Sequence, residues 1–224
     1  MTFSTASKAR LTRHDLDRFG GSTLFDRVGR AVCVAGCLPR KELYEAWEVA
    51  RRARRLFRGG RVVDLAAGHG LLAHLMLLLD KASSSALVVE PNRPPSSARI
   101  HEALRASWPW LGHALTFLDD PLESVPLTAS DVVVSCHACG ALSDLVLGRA
   151  SAARARIALL PCCQDFDTCE AGPIAGWVER AAAIDIMRAV ELERAGYRVW
   201  TQTIPDSITP QNRLLMGEPR DPRS

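Results

Sequence analysis

The stretch Arg61-Val-Val-Asp-Leu-Ala-Ala-Gly-His-Gly-Leu-Leu-Ala73 decides how the rest of the chain is read. Val62 to Leu65 has the apolar density of a short buried strand, and Leu71 to Leu79 that of a helix. Between them Ala66 to Gly70 supply small residues where the backbone must turn sharply. A strand, a glycine-rich turn and a helix N-terminus together leave free N–H groups and a favourable dipole end facing a ligand. A second strand, Ala86-Leu-Val-Val89, ends in Glu90, twenty residues past Gly70. A carboxylate at that distance suits two ribose hydroxyls. Residues 61–90 therefore read as the nucleoside-binding half of an open α/β sheet.

Working outward, residues 1–22 read as a poorly ordered N-terminal tail ending at Gly20-Gly21. Residues 23–60 read as N-terminal helices. The first carries Leu24, Phe25, Val28 and Val32 at helical spacing, and the second opens at Pro39 and runs to about Arg58. Its arginines 51, 52, 54, 55 and 58 admit two readings, a phosphate-binding flank or a solvated face on which Glu48 pairs with Arg52. Past Glu90 the pattern gives a helix over 97–108 and strands at 114–118, 131–135 and 157–160, with a helix over 141–153 between the last two. A helix over 177–195, closed by Gly196, leads to strands at 197–204 and 213–217. Only eight residues link these last strands, too few for a parallel crossover, so they form an antiparallel hairpin. The expected fold class is α/β: a Rossmann-like, seven-stranded, mostly parallel sheet over residues 61–218 with an antiparallel C-terminal hairpin, and a short tail at 219–224.

Composition bounds the function. At 224 residues there is room for one α/β domain with its own core. The net charge of +3 is too small to argue for nucleic acid by itself. No apolar run approaches the roughly 18 to 20 residues needed to span a bilayer. The start is Ser/Arg-containing and lacks the apolar core of a signal peptide, so a cytoplasmic protein is expected. Seven cysteines, an odd number, argue for thiols rather than a disulfide framework.

Two cofactor readings compete at the turn. Gly68-His-Gly-Leu-Leu-Ala73 fits the G-x-G-x-x-[GA] fingerprint of NAD-binding domains, a weak signal alone. Asp64-x-Ala66-x-Gly68-x-Gly70 resembles motif I of class I S-adenosylmethionine-dependent methyltransferases, with alanine for the usual first glycine. The second reading is favoured by the terminal hairpin, by Asp119-Asp120 closing strand three, and by the lack of room for a dehydrogenase substrate domain. Further on, His137-Ala-Cys139-Gly140-Ala-Leu-Ser143-Asp144 resembles the H-x-C-G-x-x-[ST]-D motif of the group that includes the eukaryotic tRNA ribose 2′-O-methyltransferases. Pro161-Cys162-Cys163 and Ile208-Thr-Pro-Gln-Asn-Arg-Leu-Leu215 match that group as well. The resemblance covers about residues 40–218. It departs at Gln164 and Asp165, where the tRNA enzymes carry two histidines, and their cysteine- and histidine-rich zinc modules are missing.

The resemblance implies S-adenosyl-L-methionine as cofactor, with Asp64 facing its methionine end and Asp119 its adenine. Ala66, Gly68, Gly70, Glu90 and Cys136 complete the expected cofactor set. His137 is the best base candidate, because an imidazole titrates near neutrality; the alternative is a histidine that only fixes its loop. Asp144 either orients His137 or serves the first turn of its helix. His69 reads as local packing. Cys162 and Cys163 are candidate catalytic thiols. Cys136, Cys139, Cys162, Cys163 and Cys169 admit two further readings, thiols gathered on a metal or thiols buried and inert, and no metal is assigned. There is no N/D-P-P-[YFW] segment after strand four, which counts against exocyclic base amines. Lysine occurs only at 8, 41 and 81, and by sequence none falls at the sheet's C-terminal edge, which excludes a lysine-dependent ribose tetrad. RNA is the expected acceptor and partner, with the Arg51–Arg61 cluster and the long 164–173 loop as its contacts. Transfer to protein or to a small molecule, and a non-catalytic cofactor-binding module, stay open.

Overall fold

The computed structural model describes residues 3–161 and 163–221. Strands β1 (Val62–Leu65), β2 (Ala86–Val89), β3 (Leu115–Leu118), β4 (Val132–Ser135), β5 (Arg156–Leu159), β6 (Tyr197–Thr203) and β7 (Arg213–Pro219) form one sheet. Their order is β3-β2-β1-β4-β5-β7-β6. β1 to β5 run parallel, while β7 is antiparallel to both β5 and β6. The short β6–β7 link thus has the consequence drawn from it. The order reverses between β1 and β4, so the chain leaves those two strands toward opposite sides and opens a crevice at their C-terminal ends.

Alternate residues along each strand serve two cores. Val62, Val88, Val132 and Val134 face a large core with the N-terminal helices. Val63, Val133, Ile157 and Leu159 face a smaller one with α6 (Ala141–Ala152). Burial on both faces explains why β1 and β4 lack the polar alternation of a half-exposed strand. On the first face α1 (Leu24–Ala35) packs on α4 (Ser97–Ser107), and α2 (Arg40–Leu56) on α3 (Leu71–Leu79). Seven of the nine residues of α3 are buried, as a helix apolar but for His74 must be between sheet and outer helix. A single-turn helix α5 (Leu111–Ala114) leads into β3, and α7 (Arg180–Arg194) packs against β6. Between β3 and β4 there is no full helix, only a 3-10 turn at Leu122–Ser124.

Residues 3–22 are not the loose tail expected of that segment. Leu11 and Phe19 are fully buried, Arg10 bridges to Pro39, and Arg13–Phe19 forms a 3-10 helix opened by a Thr12/Asp15 capping box. Gly29 of α1 makes the seat, since a Cβ there would fall 2.2 Å from the Phe19 ring. Arg30 then donates to the carbonyls of Phe19 and Gly21. Two isolated apolar residues in a polar segment have no periodicity to announce this. No helix among the described residues is long and apolar enough to cross a membrane.

Candidate active site

The turn after β1 is left-handed three times in five residues, at Ala66 (φ 54), Gly68 (φ 54) and Gly70 (φ 75). A Cβ at Gly70 would come within 2.7 Å of Val88. Ala66 holds the same backbone region with a Cβ, at a cost of about 1 kcal/mol or more. Its carboxylate neighbour Asp64 is 1 % exposed, and its Oδ2 accepts the Ala73 N–H at 3.1 Å, tying the first turn of α3 to β1. Burial pushes the Asp64 carboxyl up to about 8; the Ala73 N–H works against that and the Glu90 charge adds to it. Glu90 stands above. Its Oε2 accepts the Gly68 N–H at 3.0 Å and its Oε1 the Asn92 N–H at 3.1 Å, which fixes the carboxylate at the rim and leaves lone pairs on both oxygens.

A cleft of about 400 Å³ opens here, lined by Ala66, Glu90, Asn92 and His137, with Pro91, Leu122, Leu142 and Leu145 among its apolar walls. His137 is half-buried and lies over Gly68, where an added Cβ would sit 3.3 Å from the ring. The first turns of α2 cover this edge. Glu42 Oε2 is 3.4 Å from His69 Nδ1, and His69 Nε2 is 3.1 Å from the Ser96 hydroxyl, so His69 is held by specific partners rather than by packing alone. One turn along, Glu45 is buried at 4 % exposure, with Lys41 Nζ 3.3 Å away. Burial raises its carboxyl above the usual range, while Lys41 draws it back. Lys41 is thus held on Glu45, and it is not among the residues that line the cleft.

Asp144 does not orient His137. Arg188 of α7 takes its carboxylate in a fork, Nε to Oδ1 at 2.6 Å and Nη2 to Oδ2 at 3.0 Å. Arg188, 3 % exposed, also donates to the Gly140 carbonyl at 2.9 Å, to Asp185 at 3.1 Å and to Cys169 Sγ at 3.4 Å. Asp185 in turn receives Arg213 and Gln164. The loop bearing His137 is locked to the one after β5 by the Gly140 N–H donating to the Cys163 carbonyl at 3.1 Å. Gly140 sits at φ 56, ψ −131, a region open in practice only to glycine.

Asp119 departs from its expected place. It is exposed, held in a fork by Arg93 at 2.6 and 2.9 Å, and the hydrogen bonds from Arg93 keep its carboxyl below the usual range. The cleft wall on that side is Pro121, Leu122 and Glu123 instead. Cys136 is buried at the end of β4, while Cys139 and Cys163 are exposed. Cys162 lies outside the described residues. Among the described residues no group of three His, Cys, Asp or Glu side chains is arranged to hold a metal. The arginine cluster also moves. Arg54 is buried on Met76 O, Phe57 O, Ser83 and Asp80, Arg61 grips Asp131 just before β4, and Arg51 and Arg52 pair with Glu48. Arg54 and Arg61 thus serve the strands' starts, the edge away from the cleft.

The donor set fits a nucleoside cofactor with a charged amino-acid end. Among the described residues, three buried side-chain polar atoms lack a partner: Arg40 Nε, Asp64 Oδ1 and Ser135 Oγ. The last two end or nearly end β1 and β4, the pair between which the order reverses. The cleft volume lies within the roughly 300–1,000 Å³ of small-ligand sites.

A family model described as a methyltransferase domain matches residues 42–166, more than half of the chain. The chain belongs to this methyltransferase-domain family. No curated protein matches its sequence at a significant level. Among solved structures, an O-methyltransferase family protein from Burkholderia thailandensis is similar at TM-score 0.56 and 18 % identity, covering 93 % of this chain and 63 % of that one. This chain thus spans under two thirds of that methyltransferase. The 1,6-didemethyltoxoflavin-N1-methyltransferase of the same organism, with S-adenosylhomocysteine bound, gives TM-score 0.53, 18 % identity and 79 % coverage of both chains. A SAM-dependent O-methyltransferase from Thermotoga maritima gives 0.51 at 11 % identity, covering 80 % of this chain and 66 % of its own. At these identities the likeness establishes the fold.

Proposed function

We propose that this methyltransferase domain transfers the methyl group of S-adenosyl-L-methionine to an acceptor whose proton is taken by His137. One observation carries the reading: Glu90 and His137 line the same cleft beside a left-handed turn whose Gly68 N–H is already held by Glu90. Glu90 would receive the ribose hydroxyls, and Leu122, Leu142 and Pro91 would enclose the base. The cofactor supplies an electrophilic methyl on a sulfonium. The chain's own work is then to align the acceptor and remove its proton, which is what a half-buried imidazole at the cleft wall can do.

RNA is the acceptor this reading names. Its supports are the resemblance of residues 137–144 and 161–163 to the tRNA ribose 2′-O-methyltransferases and the surface of the loop after β5. There Trp177 is 90 % exposed, and Arg180 stacks over exposed Phe166 at 5.2 Å from the ring centroid. Rings and a guanidinium suit unpaired bases, at about 1–3 kcal/mol per stacked base. The same loop carries Asp165, Asp167 and Glu170, so recognition there rests on rings more than on phosphates. The test is incubation with methyl-labelled cofactor and separated RNA, protein and small-molecule fractions. Label should enter RNA, and His137→Ala should lower the rate roughly 10²- to 10⁴-fold with S-adenosylhomocysteine affinity kept. Label in another fraction replaces RNA as the acceptor. Binding of NAD in place of S-adenosylhomocysteine removes the cofactor reading itself.

A further inference from the structure

β6 is the edge strand of the sheet beyond β7, and its seven residues carry one charge, that of Arg198. The ladder to β7 fixes which of its backbone groups are already used. The Gly196 carbonyl accepts the Arg220 N–H and the Ile204 N–H donates to the Asn212 carbonyl, so the even-numbered residues turn their N–H and C=O groups toward β7. Those of Val199, Thr201 and Thr203 point outward. Among the described residues one hydrogen bond reaches that row, from Arg52 Nη2 to the Thr203 carbonyl at 3.3 Å. The same three residues line a groove of about 870 Å³ between the edge and α7. Its other wall is Ile186, Ala189, Val190 and Glu193, an i, i+3, i+4, i+7 stripe of α7 on which Ile186 is 41 % exposed. α7 turns into β6 through Ala195 and Gly196, which puts Glu193 at the Val199 end of the groove. Arg52, and Arg213 opposite Thr203 in the ladder, stand at the other end.

We propose that this face pairs with the same face of a second copy of the chain, β6 against β6 about a two-fold axis. An open row of N–H and C=O groups is a template for another strand, and an apolar helix stripe beside it supplies surface for the added side chains to cover. Charge selects the occupant. Antiparallel pairing about a two-fold brings the Val199 end of one copy to the Thr203 end of the other, so each Glu193 faces Arg52 and Arg213 of the second copy. Parallel pairing would set Arg52 against Arg52. The apolar stripes meet their like, as an isologous interface requires. Arg52 on the Thr203 carbonyl stops the row and leaves Val199 and Thr201 open. The register that uses both residues in both copies sets Val199 of one against Thr201 of the other, each pair exchanging its two ladder bonds. The groove shares no residue with the cleft that Glu90 and His137 line, so the inference stands apart from the reading of that site.

Sedimentation of the full chain from micromolar to millimolar concentration reads the result, and the wild type should pass from monomer to dimer. Thr201→Pro removes an outward N–H that no bond within the sheet uses, a change edge strands accept. Ile186→Glu puts a charge on the stripe at a position already open to water. Each acts twice across the axis and should raise the dissociation constant of the dimer about tenfold or more. Melting of the dilute monomer and affinity for S-adenosylhomocysteine should stay near wild type. Glu193→Arg should weaken the dimer too, and by less at high salt, where the attraction it removes is already screened. A wild-type chain that stays monomeric throughout overturns the inference and leaves the groove to a different chain. A dimer that both Thr201→Pro and Ile186→Glu leave intact overturns it as well, because its interface then lies elsewhere. Should Thr201→Pro fail to fold, Ile186→Glu decides by the same two outcomes.

Discussion

The two ends of α2 meet the sheet at opposite edges and are built to opposite standards. At its C-terminal end Arg54 is buried with each of its three guanidinium nitrogens partnered, by two carbonyls, the Ser83 hydroxyl and Asp80. Toward its N-terminal end Glu45 is buried beside Lys41, and at the end of β1 Asp64 keeps one oxygen with no partner. The first edge is finished when the chain folds. The second is left polar and incomplete, as a ligand-binding edge must be, and the difference says which end carries stability and which carries chemistry.

The comparison can be broken most severely at the finished edge. Arg54→Ala should cost about 3–5 kcal/mol, because Asp80 and two carbonyls lose a buried cation. Chemical denaturation reads this, and S-adenosylhomocysteine affinity in the folded fraction should be unchanged. The reverse pattern belongs to Glu90→Ala. Calorimetry should show affinity for S-adenosylhomocysteine reduced by about 1.5–3 kcal/mol, the worth of hydrogen bonds to a charged group, with little change in melting.

Asp64 sharpens the contrast through pH. Its folded carboxyl is raised to about 8, above the unfolded value near 3.9, so the folded state binds the extra proton between them. That contribution is complete below pH 4 and is lost as pH rises toward 8, with a slope of at most about 1.4 kcal/mol per pH unit. Melting of the ligand-free protein across that window should fall with pH, and Asp64→Asn, still able to accept from Ala73, should flatten the curve. The smallest effect belongs to Arg51→Ala combined with Arg55→Ala. These side chains are partly or well exposed on α2, so stability should change by no more than about 0.5 kcal/mol per site. RNA binding measured against salt should keep its slope. A slope that falls would return the cluster to the acceptor site.

The fold was legible because its signals are local. β1, α3 and β2 fall where periodicity and the glycine turn put them, and eight residues between two strands leave no topology but a hairpin. The candidate site was legible only as far as strand ends go. Glu90 and His137 meet because both follow strands of one sheet. Arg188 on Asp144, Arg93 on Asp119, and Glu42 of α2 on His69 are pairings across 26 residues or more. No spacing in the sequence marks them. At Asp119 position told only where the residue falls, since its pairing with Arg93 comes from 26 residues away.

The connection from β3 to β4 has a kinetic consequence. Its far end is held by Arg149 on the Val125 carbonyl and Arg61 on that of Pro126. Its near end, Pro121 to Ser124, has only its own one-turn bonds and forms one wall of the cleft. This wall should breathe. In hydrogen–deuterium exchange its amides should trade with solvent well before those of the neighbouring strands, and S-adenosylhomocysteine should slow them more than any other stretch of the chain. Ligand entry would then be timed by the opening of four residues rather than by the rearrangement of a domain.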